Sequence, residues 1–226
     1  AEYDFWFDTM HRYVKRGAKG IALVDNEGDS PKLRYVFDVA DTGARSNSRP
    51  VWLWQMKEEY WNPVMATLER AYGVSGKNLS LEAQLERVAG RLAADYWMDY
   101  GRQISNIVAD SFLEEYDEFN IGAAFRKAAQ ASIAYTLSVR CTEEAENQFE
   151  PEDFKDVADF NTRQTAAALG TAVSSISREV FREIERAIRD YERTKAQERS
   201  QDYEERNSIQ TGRGLSASGD RVERDD

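Results

Sequence analysis

The sequence predicts an α+β protein, mostly α-helical, with a small N-terminal β-hairpin and a long C-terminal amphipathic helix. Three observations carry that prediction. Apolar runs at residues 21–24 and 33–39 flank a turn-forming stretch at 25–31, the arrangement of a hairpin. Beyond Pro63, apolar residues recur at three- and four-residue steps between capping residues, as in successive helices. Leu169, Val173, Ile176, Val180, Ile184, Ala187 and Tyr191 then step by 4, 3, 4, 4, 3 and 4. That unbroken stripe predicts one helix from Arg163 to about Lys195, roughly 50 Å long at ~1.5 Å per residue.

The elements follow in order. Phe5, Trp6, Met10 and Tyr13 fall near helical spacing and predict a short helix ending before Gly17. Lys15-Arg16-Gly17-Ala18-Lys19-Gly20 reads as a turn with two glycines free to take positive φ. Residues 21–24 read as a buried strand and 33–39 as its hairpin partner, while 41–50, rich in Gly, Ser, Asn and Arg, reads as a linker. Asn62 is placed to cap a helix with Pro63 at its first position and Gly73 at its close. Ser80 caps the next helix, which carries Leu81, Leu85, Val88, Leu92 and Tyr96 and is weakened by Gly90 and Gly101. A break follows near Asp110 and Ser111, Asn120 caps a helix from Ile121 to about Arg140, and Pro151 starts a short acidic helix. After Lys195 hardly an apolar residue remains, so the tail is expected to be disordered. The expected organisation is therefore an α/β piece over residues 1–50, a helical domain over 51–195 and a tail over 196–226. Because Ala1 leads straight into an aromatic segment, the chain reads as a fragment of a larger reading frame.

Composition narrows the function classes. Of 226 residues, 41 are acidic, 30 basic, one is His and one is Cys, for a net charge of −11. With only His11 and Cys141, neither H-E-x-x-H nor a His-dependent nucleophilic triad has its parts. No metal, cofactor or catalytic residue is expected, and the chain reads as a binding or scaffolding protein. One cysteine forbids an internal disulfide, which with the lack of a charged-then-apolar leader favours a cytoplasmic setting. No apolar run reaches the ~20 residues that span a bilayer, so no membrane partner is expected. The charge is also uneven: the first 57 residues hold nine basic and eight acidic side chains, +1, leaving −12 on the rest.

The basic turn is therefore the leading candidate site. Arg12, Lys15, Arg16 and Lys19 lie beside aromatic residues, and the turn around Gly17 and Gly20 can offer backbone N–H groups to a phosphate. The competing reading is a solvated turn, with part of its charge consumed by helix pairs to Asp4 and Asp8, one and two helical turns upstream of Arg12. It is not a Walker loop. A ridge of Arg178, Arg182, Arg186, Arg189 and Arg193 is lined by Glu179, Glu183, Glu185, Asp190 and Glu192, and reads as a solvated face. His11 and Cys141 read as packing residues. Trp52, Trp54, Tyr60 and Trp61 read as core, or as a stacking platform. The acidic pairs Glu114-Glu115, Glu143-Glu144 and Glu152-Asp153 have no distinctive spacing.

Two stretches resemble a known family. Asp4-Phe5-Trp6, then Arg12 through Leu23 with the Lys15-Arg16-Gly17-Ala18-Lys19-Gly20-Ile21 turn, then Val36-Phe37-Asp38-Val39-Ala40-Asp41-Thr42, resemble a truncated N-terminal domain of the ArdC antirestriction family. The resemblance implies single-stranded DNA binding through Lys15, Arg16, Lys19 and the backbone around Gly17 and Gly20. More faintly, residues 133–137 and the 169–188 helix resemble the C-terminal helices of the ArdC metallopeptidase domain, without its H-E-x-x-H. This implies that 63–195 is a zincin-derived helical region that has lost its metal. The combination is similar to the front end of large helicase/methylase proteins of conjugative elements. It implies either single-stranded DNA or a helicase/methylase region of the same parent protein as partner.

Overall fold

A computed structural model describes residues 1–25, 32–73, 79–142 and 148–216. The chain is α+β and mostly helical, with paired strands near its N-terminus and a long C-terminal helix. It divides into two units, Ala1–Leu53 and Trp54–Asp226.

The first unit holds a π-helical turn, Phe5–Thr9, and four short strands: β1 (Arg12–Val14), β2 (Ile21–Asp25), β3 (Lys32–Val36) and β4 (Thr42–Ala44). β2 and β3 form the expected antiparallel hairpin, with Ile21 opposite Val36 and Leu23 opposite Arg34. Three expectations need correction. The first helix stops at Thr9, because His11 takes φ +53° and Arg12–Val14 pairs as a strand. Its partner is β4, inside the stretch read as a linker, with Tyr13 opposite Gly43. β2 is also not a buried strand: Ile21 and Leu23 are exposed on a two-stranded ribbon. Trp6 is the main buried anchor here, its indole N–H donating to Phe37 O at 3.1 Å.

The second unit is built from α1 (Glu58–Tyr72), α2 (Leu81–Ser105), α3 (Glu118–Cys141), a 3₁₀ helix (Pro151–Asp159) and α4 (Arg163–Ser216). Its core is apolar and continuous, with Leu68, Leu85, Val88, Phe125, Ile133, Leu137, Val180, Ile184 and Ile188 all buried. Several caps agree with the sequence. Gly73 closes α1 at φ +67° with its N–H on Glu69 O, and Ser80 Oγ accepts from Ala83 N at 3.2 Å. A further cap, which the sequence reading did not name, stands ahead of α4, where Thr162 Oγ1 accepts from Thr165 N at 3.2 Å.

Other boundaries move. α1 starts at Glu58, so Pro63 lies inside it. The extra turn is held by tertiary packing: Tyr60 is buried edge-on to Tyr191, its hydroxyl donating to Glu192 Oε1 at 2.9 Å. α3 starts a turn early because Asp117, not Asn120, is its cap and accepts from Asn120 N at 2.8 Å. α4 runs beyond Lys195 to Ser216, so residues 196–216 of the expected disordered tail are helical, while 217–226 lie outside the described residues. Side chains 192–204 are all exposed. Local pairs such as Lys195–Glu198 and good helix formers, Ala, Gln, Glu and Arg, sustain this segment in place of burial.

Candidate nucleic-acid interface

The basic turn is a built loop between β1 and β2. Lys15 N donates to Asp41 O at 2.8 Å, which continues the β1–β4 pairing by one residue. Ala18 N donates back to Lys15 O at 3.1 Å, and Gly17 takes φ +86° at the apex of the resulting turn. A side chain there would be strained by its backbone, although among the described residues nothing lies within 4 Å of the space a Cβ would fill. That space is open to a ligand.

The predicted residues divide by role. Arg16 and Lys19 are exposed, and neither has an ion-pair or hydrogen-bond partner among the described residues. Lys15 is exposed but extends its ammonium to Ala40 O at 2.8 Å, closing the loop onto the 38–41 turn. Asp38 and Asp41 in that turn are spent on backbone N–H groups of Ala40 and Asp38, at 2.8 and 3.1 Å. Arg12 is committed elsewhere, with Nε donating to Thr42 Oγ1 at 2.8 Å. Gly20 has no positive φ; it is small because the Phe37 ring approaches to 3.0 Å of its ideal Cβ.

Sequence reasoning missed a second part of this surface. The Arg45 guanidinium lies 4.7 Å from the Phe7 ring centre and 6.0 Å from that of Tyr13. Both rings are exposed, and Phe7 is also stacked with Tyr3 at 6.0 Å. Tyr13 covers Gly43 so closely that a Cβ there would lie 2.3 Å from the ring. Arg45 follows β4 and so stands at the Arg12 end of β1, while the basic loop leaves from the Val14 end. Three strand residues separate them, about 10 Å at ~3.3 Å per residue. The missing signal was the pairing of two three-residue strands about thirty positions apart, which leaves no periodicity to read.

The remaining candidates are accounted for by packing or local pairing. His11 is half-buried and its carbonyl accepts from Ser48 Oγ at 2.6 Å. Trp54 is buried against Phe181, with the Arg140 guanidinium 4.1 Å from its ring, while Trp61 is exposed. On α4, Arg186, Arg189 and Arg193 pair with Glu183, Glu185 and Asp190 at 2.9, 2.6 and 3.8 Å. Asp153 Oδ2 accepts from Glu150 N at 2.9 Å at the start of the 3₁₀ helix. Glu143 and Glu144 lie outside the described residues. Among the described residues no three of His, Cys, Asp and Glu are grouped to hold a metal ion, and no helix is long and apolar enough to cross a membrane.

Cys141 is buried, and burial pushes its thiol up from 9.0 to about 12, with the Arg140 charge opposing. An alkylating agent at about pH 8 is therefore expected to react slowly with the folded chain and quickly in urea. Rapid labelling of the folded protein would contradict this burial. The sign for stability follows: an unfolded thiol ionises from 9.0, the folded one only near 12, so this group lowers stability as pH rises through that window and not below it. No family model, curated protein or solved structure matches the chain.

Proposed function

We propose that the first unit is a non-catalytic module that associates with single-stranded DNA. Arg16 and Lys19, with Lys15 behind them, contact phosphates across the open apex at Gly17. Phe7, Tyr13 and Arg45 offer a stacking face about one short strand away. The observation that carries this reading is the pair of unspent cations, Arg16 and Lys19, on a loop whose own acidic neighbours are occupied by backbone N–H groups. Binding of this kind follows the backbone and the faces of unpaired bases, without reading sequence. The resemblance to the N-terminal domain of the ArdC family supports the same ligand. It also supports placing this module at the front of a helicase/methylase protein of a mobile element. The acidic second unit is then excluded from the DNA path by its charge.

The test is fluorescence anisotropy with a labelled oligodeoxythymidylate across a salt series. Binding is expected at low salt, and its affinity should fall with added salt on a log–log slope of about −0.7 for each phosphate neutralised. Arg16→Ala/Lys19→Ala/Arg45→Ala should bind at least about tenfold more weakly, with a flatter salt slope. No binding at low salt, or a triple variant that binds like the parent, would overturn the proposal.

A further inference from the structure

The second unit carries an exposed apolar surface that its core does not use. It lies at the end of the α2–α3 hairpin, where residues 106–117 link the two helices. Met98 on α2 is 82% exposed, Phe119 on α3 76% and Phe112 in the link 66%. Trp97 fixes the two helices beside this surface, its ring within 2.7 Å of the ideal Cβ positions of both Gly101 and Gly122. A notch of about 450 Å³ opens there, bordered by Met98, Asp99, Arg102 and Glu118.

The exposure is built into the backbone. Leu113 is fully buried and anchors the link. Asp110 takes φ +61° and its N–H donates to Glu114 Oε2 at 3.1 Å, while Phe112 N donates to Asn161 Oδ1 at 3.0 Å. Tyr116 N closes a turn on Leu113 O at 3.0 Å. Phe112 is thus held outward by a fixed chain path.

Along the chain beside these side chains stand Asp99, Asp110, Glu114, Glu115, Asp117 and Glu118, with Arg102 the one basic residue between Met98 and Phe119; Asp99, Arg102 and Glu118 border the notch itself. None of the carboxylates forms a salt bridge among the described residues. Glu114 and Asp117 accept only backbone N–H groups. The apolar surface calls for cover, and its carboxylates, six against the single Arg102, set the charge of what covers it. A nucleic acid or an anionic membrane would be repelled. A second copy meeting this face about a two-fold axis would set the same acidic rim against itself.

We propose that this surface docks a basic amphipathic segment of a partner protein. Its apolar anchors cover Met98, Phe112 and Phe119, and its flanking Lys and Arg side chains meet the carboxylates. The proposal is independent of DNA binding by the first unit, so either can fail alone.

The full chain is titrated against a labelled Leu/Lys amphipathic helical peptide of about 18 residues, five helical turns, with a Leu/Glu peptide as control. Two exposed-site variants, Phe112→Ser/Phe119→Ser and Glu115→Gln/Glu118→Gln, are compared after circular dichroism confirms their folding. The Leu/Lys peptide is expected to bind the parent and the Leu/Glu peptide not to bind. Each variant should weaken binding at least about tenfold. Three results would overturn the proposal: no binding at low salt, binding that neither variant weakens, or a parent dimer that the phenylalanine variant dissociates, which would make a second copy the occupant.

Discussion

Phe125→Ala is expected to destabilise the helical unit by about 3–5 kcal/mol, the usual cost of removing a fully buried aromatic side chain. Phe125 has no exposed surface and lies 5.9 Å from Tyr96, 5.6 Å from Trp97 and 6.3 Å from Phe160, ring centre to ring centre. It therefore joins α2, α3 and the segment that leads into α4. Truncation removes the transfer energy and leaves a cavity between stiff rings that cannot collapse into it. Urea denaturation followed by helical circular dichroism should show a lower midpoint with an unchanged slope. Phe119→Ala, on the same helix but exposed, should change stability by no more than about 0.5 kcal/mol. A destabilisation below about 1 kcal/mol at Phe125 would contradict a core centred on this ring.

The second large effect is expected from adding volume. At Gly122 an ideal Cβ falls 2.7 Å from Trp97 Cε2, and at Gly101 the distance is the same. The indole lies in the space that two glycines leave between α2 and α3. Its ring is rigid and bounded on one side by Phe125, 5.6 Å away. Gly122→Leu should therefore cost about 1–3 kcal/mol or more through overpacking. The diagnostic is the pair: Trp97→Ala clears the space, so Trp97→Ala/Gly122→Leu should be less destabilised than the sum of the two single variants. Strict additivity would mean that the ring and the glycine do not touch. The same close approach explains why Gly101 and Gly122 are found inside helices, where glycine is otherwise unfavourable by about 1 kcal/mol.

Much of the helical unit is legible in the sequence because its signals are local. A cap needs only a few neighbouring residues, and Ser80 and Gly73 act where the sequence places them. The stripe from Leu169 to Tyr191 is likewise a one-dimensional pattern, and Leu169, Ile176, Val180, Ile184 and Ala187 are buried as its spacing requires. The departures come from distant partners. Tyr60 draws α1 back past Pro63 through contacts more than a hundred residues away, with Tyr191 and Glu192. β1 exists because β4 pairs with it, and neither strand is long enough to show alternation.

The candidate site follows the same division. The turn itself, its glycine at positive φ and its cations can be read from Lys15-Arg16-Gly17-Ala18-Lys19-Gly20. Which charges are free cannot. Arg12 is taken by Thr42 and Lys15 by Ala40, both contributed from across the unit, while Arg45 gains its place through Phe7 and Tyr13. A count of basic residues therefore overstates the role of Arg12 and misses Arg45.

The central claim, that the first unit meets single-stranded DNA through the Lys15–Gly20 loop and the Arg45 face, is tested most directly by an amide-resolved NMR titration of the full chain with an oligodeoxythymidylate at low salt. The largest shifts are expected at Arg16, Gly17, Lys19, Tyr13 and Arg45, with the amides of α2 and α3 unmoved. Shifts confined to the helical unit, or none at saturating oligonucleotide, would contradict it.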